Sequence, residues 1–163
     1  AAYFTRGTGH TEAATYSEKP QDWKNNLDRL ARKFDTARTL MPRPVLKQAT
    51  PGKSAAVGVI AFGSSDPAVE EARAELGTHG LATDYLRMRA LPIDKEVREF
   101  IDAHRVTYVV EQNRDAQMAS ILRLEMPEAA PKIRSVLLYS GLPADAQSVV
   151  EDIVRQESKE GRT

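Results

Sequence analysis

Tyr108-Val109-Val110-Glu111-Gln112-Asn113-Arg114-Asp115 decides the fold class. A short β-branched run ends abruptly in five consecutive polar residues, and a helical pattern then begins, with Met118, Ile121, Leu122 and Glu125 at three- and four-residue steps. This is the signature of a buried strand feeding a helix, the junction at which α/β folds place their functional groups. Five polar residues of both charge signs are more than a turn requires.

The same rhythm runs outward from this junction. Upstream, Ala55–Phe62 reads as a buried strand. Gly63-Ser64-Ser65-Asp66-Pro67 turns the chain, with Asp66 as N-cap and Pro67 at the first helical position. That helix is expected to reach about Leu76 and to stop at Gly77–Gly80. Leu81–Met88 is the second strand, and Asp94 caps a helix with Val97, Phe100 and Ile101 facing inward. Val106–Val110 is the third strand and Asp115–Leu124 its helix. Ile133–Leu138 and Ala144–Arg155 complete the series. Continuous apolar strands alternating with helices predict a mainly parallel sheet covered on both faces. An edge strand near Pro44–Gln48, antiparallel or irregular, brings it to about five strands.

Residues 22–41 predict a helix whose Leu27, Leu30, Ala31, Phe34, Ala37 and Met41 share one face. Pro42 and Pro44 end it. Between residues 22 and 47 there are seven basic and three acidic residues. That excess reads as a solvated face or, more sharply, as a docking surface for an acidic partner. Residues 1–21 read as a linker or arm whose Tyr3, Phe4 and Tyr16 have no local core to enter. The expected organisation is thus an arm (1–21), an amphipathic helix and connection (22–52), an α/β domain (53–156) and a frayed tail (157–163).

Bulk composition narrows the function. At 163 residues the chain is one domain with an attached arm, able to bury roughly 70% of its unfolded surface. Its 23 basic and 23 acidic residues cancel, which argues against a dedicated nucleic-acid binder. No apolar run approaches the ~20 residues of a membrane span, and there is neither a signal-peptide pattern nor an initial Met. A cytoplasmic location and a piece cut from a longer protein are expected. The chain contains no cysteine, so it carries no disulfide, thiolate nucleophile or cysteine-ligated zinc or iron–sulfur cluster of its own.

The polar constellations are each modest. Arg6-Gly7-Thr8-Gly9-His10 lacks the preceding strand and following helix of a dinucleotide fingerprint, and the Lys of a P-loop. Its glycines let amides approach an anion, with Arg6 and His10 beside them, although a flexible turn is the ordinary reading. Gly63–Asp66 offers exposed amides at a helix start, where Asp66 competes for them. His10, His79 and His104 form no metal-ligand spacing; His79 lies in a turn and His104 at a helix end, where positive charge suits the dipole. Arg87 and Arg89 flank Met88 and share a strand face. With Glu111, Asn113 and Arg114 they are expected to form a charged cluster over neighbouring strand ends, serving as an interface ion-pair network or an anion site. No catalytic residue and no metal ligand is assigned.

In order along the chain, Arg6-Gly7-Thr8-Gly9-His10, Leu30-Ala31-Arg32-Lys33-Phe34, Ser65-Asp66-Pro67-Ala68, Asp84-Tyr85-Leu86-Arg87 with Ala90-Leu91-Pro92, Val110-Glu111-Gln112-Asn113-Arg114-Asp115 and Gly141-Leu142-Pro143 resemble one family. It is that of the 2-oxoacid:ferredoxin oxidoreductase alpha subunits, particularly the 2-oxoglutarate type, in their C-terminal part. The resemblance implies a transketolase C-terminal-like, three-layer α/β/α domain. It implies an assembly that converts a 2-oxoacid and coenzyme A to acyl-CoA and carbon dioxide and passes electrons to ferredoxin. That assembly uses thiamine diphosphate, Mg²⁺ and iron–sulfur clusters. A beta subunit carries the diphosphate-binding part of the thiamine site, so none of these cofactors is expected on this chain alone and the isolated chain is expected to be inactive. The alternative is an autonomous small-molecule-binding or regulatory α/β module.

Overall fold

The structure is a computed structural model that describes residues 7–160, the side chain of Glu160 excepted. Tyr3, Phe4 and Arg6, singled out above, lie outside the described residues. The chain divides into two compact units, Ala1–Met41 and Pro42–Thr163. The division falls at Met41, not at residue 52, because Val45–Lys47 pairs with a strand of the second unit.

The first unit is built on helix α1, Pro20–Leu40, with Pro20 in the first turn, where its missing N–H costs nothing. Asn26 is the buried residue of this helix. Its side-chain amide donates to the carbonyl of His10, which lies on a short arm closed by the His10–Tyr16 bridge. The arm folds back on itself so tightly that a Cβ on Gly9 would stand 2.5 Å from the Ser17 carbonyl oxygen.

The second unit is a five-stranded sheet in the order β1-β3-β2-β4-β5. The strands are β1 Val45–Lys47, β2 Val57–Phe62, β3 Thr83–Met88, β4 Val106–Glu111 and β5 Ile133–Leu137. Four are parallel and β1 is an antiparallel edge strand, with Leu46 opposite Leu86. The connecting helices are α2 Asp66–Thr78, α3 Lys95–Ala103, α4 Gln117–Glu125 and α5 Ala146–Glu160.

Alternation along the strands sorts side chains into two cores. Val57, Val59, Tyr85, Tyr108 and Val110 meet α2 and α5 through Val69, Leu76, Val149 and Ile153. Ile60, Leu86 and Val109 meet α3 and α4 through Phe100, Ile101 and Leu122. Both faces of the sheet are covered, giving the expected three layers, α/β/α, although β3 carries Asp84 and Arg87 and β5 carries Arg134 and Ser135. At Gly58 the second core leaves no room for a side chain: a Cβ would stand 2.7 Å from Phe100 and 3.0 Å from His104.

Several element boundaries shift by a few residues from the sequence reading, and two of the differences have identifiable reasons. Helix α5 continues beyond Arg155 to Glu160, into the segment expected to fray, and the Glu157 carboxylate there accepts bonds from Tyr108 Oη at 2.8 Å and Arg105 at 2.6 Å. Asp66 is the first residue of α2, not its cap: a 3₁₀ turn, Gly63–Ser65, leads into the helix, and the Asp66 carboxylate is used elsewhere.

Candidate functional site

Strand β2 comes first among the parallel strands, β3 lies on one side of it and β4 on the other, so the direction of winding reverses between β2 and β4. Open α/β sheets bind ligands outside the carboxyl ends of the strands at such a reversal. A crevice of about 440 Å³ opens there, between Phe62–Ser65 after β2 and Glu111–Asn113 with Gln117, Met118 and Ile121 after β4. The tract that opened the sequence reading therefore lines this reversal.

Each polar residue of the tract has a defined task. Glu111 is fully buried at the end of β4. Its carboxylate accepts from the backbone N–H of Met118 at 2.7 Å and of Ala119 at 3.0 Å, and from Asn113 Nδ2 at 2.9 Å. Asn113 Oδ1 in turn accepts from Asp115 N at 3.0 Å and Gln117 N at 3.3 Å. Together they satisfy the amides at the start of α4 and set a negative charge against its positive dipole end. The turn between them is tight, and Ala116 takes a left-handed conformation at φ 51°. Gln112 reaches across the reversal and donates to Ser64 Oγ at 2.9 Å and Ser65 Oγ at 3.1 Å, tying the turn after β2 to the turn after β4.

The charged cluster expected from the sequence does not form as one group. Arg87 follows Tyr85 onto the α2 and α5 face and pairs with Asp66 at 3.2 Å, whereas Glu111 follows Val109 onto the opposite face. Strand β2 separates them, a span of ~10 Å across two strand spacings. Arg114 is exposed and pairs with its neighbour Asp115 at 2.8 Å, and Arg89 is exposed beyond the end of β3. His10 lies in the first unit, its Nδ1 3.4 Å from the Thr8 carbonyl. Among the six candidates that lie in the described residues, only Glu111 and Asn113 share a bond.

On the Arg87 side, Tyr85 Oη donates to Asp66 Oδ1 at 2.8 Å. Burial, followed by the hydrogen bond to Asp66, raises the Tyr85 phenol above its ordinary value of 10.0. The Arg73 guanidinium lies 5.5 Å from the centre of the Tyr85 ring.

A second polar group, whose pairing the sequence did not reveal, sits at the other end of the sheet. Asp84 and His104 are both buried, with Asp84 Oδ2 3.1 Å from His104 Nε2. His104 Nδ1 stands 2.5 Å from the Phe100 carbonyl. Asp84 also accepts from Ala49 N at 2.8 Å and Ala55 N at 2.9 Å, which pins the β1–β2 connection to β3. His104 thus closes a structural clamp instead of answering a helix dipole. The available signal was Asp84 itself, a carboxylate inside a strand otherwise buried on both faces.

The chemistry of the crevice follows from these partners. The Ser64 and Ser65 hydroxyls face an amide, not a histidine, so no nucleophile is paired with a base. Both flanking helix starts carry the chain's own carboxylates, Asp66 and Glu111. Among the described residues no group of three or more His, Asp or Glu side chains is arranged to hold a metal ion. With no cysteine in the sequence, the chain offers no thiolate ligand to an iron–sulfur cluster. Among the described residues no helix is long and apolar enough to cross a membrane.

No family model matches the chain, and no curated protein matches it. Solved structures do. A 2-oxoglutarate:ferredoxin oxidoreductase from Magnetococcus marinus, with 2-oxoglutarate, coenzyme A and succinyl-CoA bound, superposes with a TM-score of 0.75 at 20% identity over 95% of this chain. A split-gene transketolase, as an inactive β4 tetramer, gives 0.57 at 20% identity over 69% of this chain. The chain spans 27% of the first protein and 40% of the second. These likenesses show the fold, a transketolase-like α/β/α domain.

Proposed function

We propose that the chain is the C-terminal domain of the alpha subunit of a thiamine-diphosphate-dependent 2-oxoacid:ferredoxin oxidoreductase, with 2-oxoglutarate as the 2-oxoacid. The carrying observation is the likeness to the Magnetococcus marinus enzyme over 95% of this chain. The motifs from Arg6 to Pro143 that resemble the same family support it from the sequence side. In this reading the domain supports subunit assembly and active-site architecture. The beta subunit supplies the diphosphate-binding part of the thiamine site, and Mg²⁺, the iron–sulfur clusters, coenzyme A and ferredoxin belong to the assembled, cytoplasmic complex. The chain's own part is positional: Glu111 and Asn113 fix α4, and Gln112 locks the two rim turns together. Arg87, Arg89 and Arg114 are then interface groups, so Arg114→Ala in the complex is expected to weaken assembly more than it raises the 2-oxoacid KM.

The test is affinity purification of the tagged protein from its native host, followed by mass spectrometry and dye reduction. The reading expects a co-purifying subunit that contains thiamine diphosphate and clusters, and viologen reduction dependent on 2-oxoglutarate and coenzyme A. The purified chain alone is expected to give none. Viologen reduction by the chain alone, or its isolation without such a partner, overturns the reading. The second outcome favours the alternative of an autonomous binding module, which the crevice at the strand reversal supports.

A further inference from the structure

Helix α1 carries a sharper pattern than an ordinary amphipathic helix. Trp23, Leu27, Leu30, Phe34, Ala37 and Met41 follow one another at steps of four, three, four, three and four residues, a strict 3.5-residue repeat. A surface helix packed on its own core needs only the looser 3.6-residue stripe. The seam is also bare: Trp23 is 53% exposed, Leu27 52%, Leu30 38% and Phe34 58%. Solvated large apolar groups in one continuous line mark a surface made for a partner.

The flanks say what partner. With Leu27, Phe34 and Met41 at the a positions and Trp23, Leu30 and Ala37 at d, the e positions are Lys24, Ala31 and Arg38, and the g positions are Asn26, Lys33 and Leu40. Every charge beside the seam is positive. The acidic residues of the helix, Asp22, Asp28 and Asp35, fall outside the e and g positions, although Asp35 reaches Arg38 at 2.6 Å from b. A second copy of the chain is a poor occupant, because a parallel pair sets Lys33 against the partner's Arg38 position and no arrangement brings an acid to either flank. We infer that α1 is a docking helix for an amphipathic helix with an apolar heptad seam flanked by glutamate or aspartate. This inference stands independently of the oxidoreductase reading, since it uses only α1.

Trp23 is the only tryptophan in the sequence and lies in the seam, so the intact chain carries its own reporter. The probes are two four-heptad peptides with leucine at a and d, one with glutamate at every e and g position and one with lysine there. Titration of the 163-residue chain with the glutamate peptide is expected to blue-shift Trp23 emission saturably, and the affinity is expected to fall as salt rises. The lysine peptide is expected to bind about tenfold more weakly or worse. Phe34→Lys is expected to abolish binding with the circular dichroism unchanged. The triple variant Lys24→Glu, Lys33→Glu, Arg38→Glu keeps the seam and is expected to reverse the preference towards the lysine peptide. Equal binding of the two peptides, no binding of either, or an unreversed preference in the triple variant overturns the proposal. Self-association of the chain that Phe34→Lys abolishes overturns it in favour of a second copy.

Discussion

Replacing Glu111 by alanine tests the reading of the strand-end tract most directly. The side chain is fully buried, and its loss strips the acceptor from two backbone N–H groups, Met118 and Ala119, and from the Asn113 amide. A buried donor left unpaired costs about 1–3 kcal/mol. The vanished negative charge at the start of α4 removes a further ~0.3–2 kcal/mol. The expected loss for Glu111→Ala is therefore about 4 kcal/mol. Glu111→Gln keeps the shape and one oxygen but turns an amide group towards an N–H, and is expected to cost about 2 kcal/mol. For a chain of this size each kcal/mol moves the Tm by ~2–4 °C, so the alanine variant should melt ~10 °C lower. Urea unfolding followed by far-ultraviolet circular dichroism measures both. Trp23 fluorescence is unsuited, because it reports the other unit. A cost below about 1 kcal/mol for alanine would mean that the carboxylate is not a structural cap, and would return Glu111 to the list of groups held ready for a partner.

Gly58→Ala forces a Cβ to 2.7 Å from Phe100, and chemical denaturation should show a loss of about 2–3 kcal/mol; a neutral result contradicts the close packing. The Thr107 hydroxyl is buried without a hydrogen-bond partner, so Thr107→Val should stabilise the fold by about 1 kcal/mol, and destabilisation would reveal a missed bond. The Tyr85 phenol is raised in the folded state, so its stabilisation is fully present below 10.0 and is lost as pH rises above it. Tyr85→Phe should flatten that alkaline decline while costing about 1 kcal/mol at neutral pH, and an unchanged alkaline slope counts against the assignment.

The architecture was legible because β2 and β4 are apolar runs and most connections carry Gly or Pro breakers. Val57–Phe62 and Val106–Glu111 are unmistakable, and even the antiparallel edge could be placed, since Pro42 and Pro44 detach Val45–Lys47 from α1. The rim was legible as a location but not as a set of partners. Sequence gives Arg87 and Glu111 as neighbours at strand ends, but the strand order puts β2 between them, and one residue of phase sends their side chains to opposite faces. The Asp84–His104 clamp was harder still. Its members are twenty residues apart, and nothing local tells His104 that its ring faces a carboxylate from another strand. Helix α1 presents the opposite case: its face was plain in the sequence, and the structure adds that the face is bare.

The carboxylates at the strand reversal have a mechanical consequence. In sheets that bind phosphates, the turn after the strand is often completed by the ligand, and its order rises and falls with occupancy. Here Glu111 supplies the counter-charge of α4 from within the chain, and Gln112 bolts one turn to the next. This edge of the sheet is consequently stiff whether or not anything is bound nearby. Its geometry is set by the chain's own side chains, with no ligand needed to complete either turn.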